Sequence, residues 1–85
     1  MLYRIYTENK NPKTIEKIAS KHFEGFTIFK AEGFWRLQKE NSLILEIEAP
    51  KVDKNKINKL AKAIKKANAQ EAVLVQELKN HAWLV

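Results

Sequence analysis

The stretch from Gly25 to Ala49, GFTIFKAEGFWRLQKENSLILEIEA, decides how this chain folds. It reads as two extended runs joined by a polar middle. Gly33-Phe34-Trp35-Arg36 closes the first run, and Glu40-Asn41-Ser42 opens the second. In the second run Leu43, Leu45, Ile47 and Ala49 alternate with Ile44, Glu46 and Glu48, the period of a strand with one face buried. A central hairpin leaves one unit of chain before it and one after it, and each contains a helix.

Before the hairpin, LYRIYT (Leu2 to Thr7) is rich in aromatic and β-branched residues and reads as a first strand. Glu8 to Asn11 is a polar turn. Asn11-Pro12 predicts a helix start, with Asn capping free N–H groups and Pro12 in the first turn, where its missing N–H costs nothing. That helix runs to about His22, with Ile15, Ile18, Ala19 and His22 or Phe23 on one stripe. After the hairpin, Pro50 stops the third strand because it cannot donate to a ladder. A second helix follows from about Lys54 to Ala67. Ile57, Leu60, Ala61, Ile64 and Ala67 share one arc of it, and lysines fill the opposite arc. Gln70 to Leu78 reads as a fourth strand after a turn at Asn68-Ala69, and Ala82 to Val85 as an optional fifth.

The order β-α-β-β-α-β predicts an α+β fold of the ferredoxin-like kind, one domain over residues 1–85, with one antiparallel sheet and both helices on one face. The strands carry apolar side chains on both faces: Tyr3 and Ile5 against Tyr6, Ile28 against Phe29, Leu45 against Ile44, Val73 against Leu74. Two helices cover only one face, and monomers avoid large exposed apolar patches. The other face is therefore expected to be buried in a homodimer or homotrimer.

Composition narrows the classes of function. A chain of 85 residues has a marginal core of its own, and with no cysteine it has neither disulfides nor thiolate metal sites. The N-terminus shows no signal-peptide pattern, and no apolar run approaches the roughly 20 residues that span a bilayer. A cytoplasmic protein without membrane contact is expected. The net charge of +6 is local: Lys51 to Asn68 holds seven lysines and one acid, which leaves the remainder neutral. Any electrostatic partner is thus a partner of the second helix.

Four short motifs resemble a bacterial domain family of unknown function: F-x-G-F-T at Phe23 to Thr27, G-x-W at Gly33 and Trp35, E-x-S at Glu40 and Ser42, and Q-E-x-V-L at Gln70 to Leu74. The opening Leu2-Tyr3-Arg4-Ile5-Tyr6 is similar to that family's first strand. Many of its members look like exported lipoproteins; this chain differs in lacking an export signal and is short, as a phage or plasmid version would be. A looser similarity is to the PII and divalent-cation-tolerance proteins, which implies a ferredoxin-like trimer with small anionic ligands or metals in its subunit clefts. The stretch between Gly33 and Ser42 is too short for a long nucleotide-binding loop of the PII kind.

Three groups of residues are candidate sites. Trp35 and Arg36 with Glu40, Asn41 and Ser42 offer an aromatic platform, a guanidinium and acceptors, which suits a planar anion such as a nucleotide. The same residues also suit interface packing by Trp35, an Arg36–Glu40 pair and a turn held by Ser42. Gln70 and Glu71 either read a ligand edge or simply end the preceding turn. Lys54, Lys59, Lys62, Lys65 and Lys66 form a face that attracts a phosphate backbone, or is merely solvated. No Arg or aromatic is interleaved there for bidentate or stacking recognition.

No catalytic arrangement, cofactor or metal site is expected. His22 and His81 lack companion ligands, Gly25 and Gly33 make no phosphate loop, and Ser20 and Ser42 lack a base with its orienting partner. The expectation is a non-enzymatic ligand-binding or regulatory protein, phage- or plasmid-borne, holding a small anionic, nucleotide-like ligand between subunits and in one version sequestering a host defence signal. The alternatives are a nucleic-acid-binding module using the lysine helix, and a protein-binding inhibitor using the open sheet face or an edge strand.

Overall fold

The computed structural model of the chain describes residues 2–48 and 54–78, and within them the side chain of Trp35 lies outside the description. The elements are β1 (Leu2–Glu8), α1 (Pro12–His22), β2 (Thr27–Trp35), β3 (Gln38–Glu48), α2 (Lys54–Ala67) and β4 (Leu74–Leu78). The strands form one antiparallel sheet in the order β2-β3-β1-β4. Each helix therefore links two strands that have a third between them. The fifth strand expected at Ala82 to Val85 and the stop at Pro50 lie outside the described residues.

The alternation that identified β3 governs burial. Leu43, Leu45 and Ile47 are buried, as are Tyr3, Ile5 and Thr7 on β1. Ile5 lies opposite both Leu45 and Val75. Ile15 and Ala19 of α1 and Ile57, Leu60 and Ile64 of α2 complete the same core, so both helices cover this one face. Burying each large aliphatic side chain contributes about 1.5–3 kcal/mol. Ala67, expected on the buried arc, is exposed beyond it.

Both helices keep the bounds read from sequence, whereas the Asn11 cap and the start of the fourth strand depart from that reading for local reasons. Asn11 adopts a left-handed conformation (φ 49) and makes no side-chain cap; its carbonyl accepts the first helical bond, from Ile15 N–H at 3.0 Å. Asn tolerates this region better than most residues, so it serves the turn out of β1 instead of the cap. α2 ends in a Schellman arrangement, with Gln70 N–H donating to Lys65 O at 3.0 Å and Ala69 N–H to Lys66 O at 3.2 Å. Ala69 holds the left-handed position (φ 51) that Gly usually fills. That turn consumes the Gln70 backbone, so β4 begins at Leu74 and not at Gln70.

Opposite the helices, the sheet carries rows fixed by register. Phe29, Ile44, Tyr6 and Leu74 form an apolar row, with Phe29 38% and Leu74 61% exposed. The next row is polar: Thr27, Glu46, Arg4 and Gln76. Within it, Arg4 Nε donates to Glu46 Oε2 at 3.0 Å. Hydrogen bonding to Glu46, and secondarily to Tyr6, holds the Arg4 guanidinium above its ordinary pKa. Among the described residues no layer covers this face.

Candidate functional site

Because β4 starts opposite Tyr6, the last two residues of β1, Thr7 and Glu8, have a β3 neighbour but no β4 neighbour. The chain from Gln70 to Val73 crosses this notch instead. The result is an open groove of about 480 Å³ walled by Tyr6, Thr7, Glu8, Glu40, Ser42, Gln70 and Leu74, among others. Its size falls within the roughly 300–1,000 Å³ of small-molecule sites. A second hollow of about 230 Å³ adjoins it and shares Glu8 and Glu40.

Register explains the convergence. Ser42 pairs with Glu8, and Asn9 N–H donates to Asn41 O at 3.0 Å, which brings Glu40 alongside the end of β1. Two acidic residues from positions far apart in sequence thus share one groove, and among the described residues no basic one lines it, although Lys10 lines the adjoining hollow. Glu8 is paired with Lys10 at 3.0 Å, whereas Glu40 has no ion-pair partner among the described residues. The Tyr6 ring forms one wall, its hydroxyl donating to Gln76 Oε1 at 3.0 Å.

The floor at the Gln70 side is a polar cluster. Thr7 Oγ1 donates to Gln70 Oε1, and Asn68 Nδ2 donates to Thr7 Oγ1 (3.1 Å), Gln70 Oε1 (3.2 Å) and Glu8 O (3.3 Å). Thr7 and Asn68 are only 4% and 3% exposed, and Asn68 Oδ1 is buried with no partner among the described residues. An orphaned buried acceptor costs about 1–3 kcal/mol, so this cluster is held at a cost to stability.

Of the residues singled out from sequence, Glu40, Ser42 and Gln70 meet in the groove. Glu71 turns away toward a hollow on the helix side, with Lys62 and Lys65. Arg36 sits at the exposed tip of the β2–β3 hairpin and does not line the groove. Trp35 is one residue before it, paired through its backbone with Gln38, and its side chain is outside the description. Tyr6, Glu8, Thr7 and Asn68 were missed because they read as strand and turn residues; only the register brings them together.

The lysine face has local compensations. Lys54 Nζ pairs with Glu77 at 2.9 Å, and Lys56 Nζ lies 4.7 Å from the Phe23 ring centre. Lys65 and Lys66 occupy the last turn of α2, where the helix dipole favours cations. Lys59 and Lys62 are exposed and carry no ion pair among the described residues. His22 Nδ1 lies 2.9 Å from Ile18 O, within its own helix, and His81 is outside the described residues. Among the described residues, no three metal-ligating side chains cluster and no helix is long and apolar enough to cross a membrane.

No protein-family model matches the chain, and neither does any curated protein. Its fold is similar to that of a phage SAM lyase solved in its apo state, with a TM-score of 0.56 and 18% identity over 87% of this chain and 75% of that one. The SPOR domain of RlpA from Pseudomonas aeruginosa matches at a TM-score of 0.40 and 17% identity, over 87% of this chain and 97% of that one. The expectation of a non-enzymatic protein is corrected by the first of these, since that neighbour is an enzyme. That expectation rested on spacing along the chain, whereas Glu8 and Glu40 are gathered by strand pairing. At this identity what the chain shares with the phage protein is the fold.

Proposed function

We propose that the chain binds a small cationic nucleoside, S-adenosylmethionine (SAM) first among them, in the groove beside Glu8 and Glu40, and cleaves it by lyase chemistry. The observation that carries this reading is the convergence of Glu8 and Glu40 beside Tyr6 in a groove that no basic residue lines among the described residues. A nucleotide anion would meet the Glu40 carboxylate, which has no ion-pair partner among the described residues, while Glu8 is paired with Lys10. A sulfonium is attracted by both carboxylates and by an aromatic face. The fold likeness to a phage SAM lyase supports the substrate class by analogy.

The chemistry asks little of the protein. When the carbon–sulfur bond breaks, its electron pair leaves on sulfur as a neutral thioether. Glu40 takes the proton from the adjacent carbon, whose C–H electrons form the new double bond, and later releases it to solvent. Binding and placing a carboxylate at the reacting carbon are the two requirements. The β-α-β-β-α-β order with β1 between β3 and β4 supports the ferredoxin-like plan. The apolar row of Phe29, Ile44, Tyr6 and Leu74 supports burial against a second copy.

A thermal-shift screen with SAM, ATP and cyclic oligonucleotides, followed by chromatography of the SAM sample, tests the reading. SAM alone is expected to raise the melting temperature by mass action, and an adenosine thioether is expected to accumulate. Stabilisation by the anionic nucleotides and none by SAM overturns it.

A further inference from the structure

We propose that Thr7 and Asn68 are positioning residues that hold the Gln70 side chain in one orientation, so that its amide nitrogen presents a hydrogen-bond donor to the groove for a neutral ring acceptor of the ligand. The proposal rests on the reading of the groove as the ligand site and assigns the end of the ligand that this corner receives.

The orientation follows from donors and acceptors. Asn68 Nδ2 faces three oxygens, Thr7 Oγ1, Glu8 O and Gln70 Oε1, at 3.1, 3.3 and 3.2 Å. Turning either amide over would set oxygen against oxygen or nitrogen against nitrogen. The Thr7 hydroxyl accepts from Asn68 and donates to Gln70 Oε1. Both outer members are fixed: Thr7 by β1, and Asn68 by the α2 terminus, where its N–H donates to Ile64 O at 3.0 Å. Gln70 Oε1 is therefore turned inward, and Nε2 outward. Apart from a contact with Ala72 O at 3.5 Å, Nε2 keeps its donor capacity for the groove.

This gives the groove two chemically different sides. Glu40, on the β3 side, receives positive charge, and Glu8 lies between it and the Gln70 cluster, its carbonyl held by Asn68 Nδ2. The uncharged donor of Gln70 suits a neutral acceptor such as a purine ring nitrogen. A base edge at Gln70 with the cationic side chain toward Glu40 is the arrangement that follows.

Two variants with two readouts test the proposal. Gln70→Glu keeps an acceptor facing Thr7 and Asn68 and replaces only the outward donor with an acceptor. It also adds negative charge, so a purely electrostatic or structural role predicts equal or tighter SAM binding. The expected result is at least tenfold weaker binding with the melting temperature held within a few degrees. Equal or tighter binding overturns the proposal. Thr7→Val removes the hydroxyl and keeps the shape. In the ligand-free protein the side-chain amide signals of Gln70, expected to be shifted from those of exposed Gln38 in the wild type because its Oε1 is held, should move toward the Gln38 values. Amide signals unchanged by Thr7→Val overturn the positioning role even if SAM never binds. A wild type that ignores SAM but shows the amide response removes the ligand assignment and leaves the positioning role standing.

Discussion

The β2–β3 hairpin has two ends with opposite construction, although sequence placed both in one site. Toward the body, Ser42 pairs with Glu8 at the end of β1, Glu40 lies just beyond that pair in the same groove, and the buried pair Thr7 and Asn68 braces the loop that faces them. Toward the tip, the pairs from Gly33–Glu40 to Trp35–Gln38 extend past the last β1 residue, so among the described residues two strands run on without a third. Arg36 (φ 50) and Leu37 (φ 64) both adopt left-handed conformations, which favour Asn-Gly in such a two-residue turn. Phe34 is 71% exposed, and Leu37 wholly so. Side chains become available for chemistry where a third element restricts them, and among the described residues no third strand or helix pairs with the tip.

The contrast is broken most severely at the core below the groove. Leu43→Ala, at a position 1% exposed, is expected to cost about 2–5 kcal/mol in urea unfolding. Leu37→Ala at the tip should stay within about 0.5 kcal/mol. A comparable loss at both ends would mean that the tip is covered by something.

Next in size is the strained turn. Left-handed geometry costs a non-glycine residue roughly 1–2 kcal/mol, so Arg36→Asn with Leu37→Gly should stabilise the chain by about 2 kcal/mol. Thermal unfolding reads this directly. A destabilised double variant would show that Arg36 or Leu37 makes contacts worth more than the strain.

How much of this was legible in the sequence depends on distance along the chain. The alternation Leu43, Leu45, Ile47 and the stripe Ile57, Leu60, Ile64 are local patterns, and they gave the elements and the core. The end of α2 at Ala67 and the turn at Asn68-Ala69 were legible, but the Schellman bond of the Gln70 N–H was not, because Ala69 adopts a conformation that Ala rarely takes, and the fourth strand was therefore read four residues too early. The Asn11 cap failed for a similar reason, since two local uses competed for one residue. Of the groove, Glu40, Ser42 and Gln70 stood out as polar residues near strand ends. Glu8 and Asn68 did not, because they are neighbours only once β1 lies between β3 and β4.

The two ends also differ in what they should do to a ligand. Glu40→Gln is expected to weaken SAM about tenfold, equivalent to about 1.4 kcal/mol, while Arg36→Gln changes it less than about twofold in calorimetric titration. A larger effect at Arg36 than at Glu40 would move the site to the tip, and dependence of that effect on protein concentration would point to a neighbouring subunit.

The smallest expected effect concerns the exposed pair at the start of α2. The hydrogen bond and charge of Glu77 raise the Lys54 pKa above 10.5. A raised lysine pKa contributes stability that is complete below about 10.5 and is lost as pH rises through the folded value. The pair is exposed, so salt should screen most of it. A titration of Lys54 by its side-chain NMR signal, with and without Glu77→Gln, checks the sign.

The most direct test of the acidic groove as a cation site compares two ligands that differ by one charge. Calorimetry with SAM and with its neutral thioether counterpart, S-adenosylhomocysteine, measures the contribution of the sulfonium alone. The geometry predicts SAM bound at least tenfold more tightly, with the difference shrinking in Glu40→Gln. Equal affinities for the two, or no heat with SAM at millimolar concentration and low salt, would contradict it.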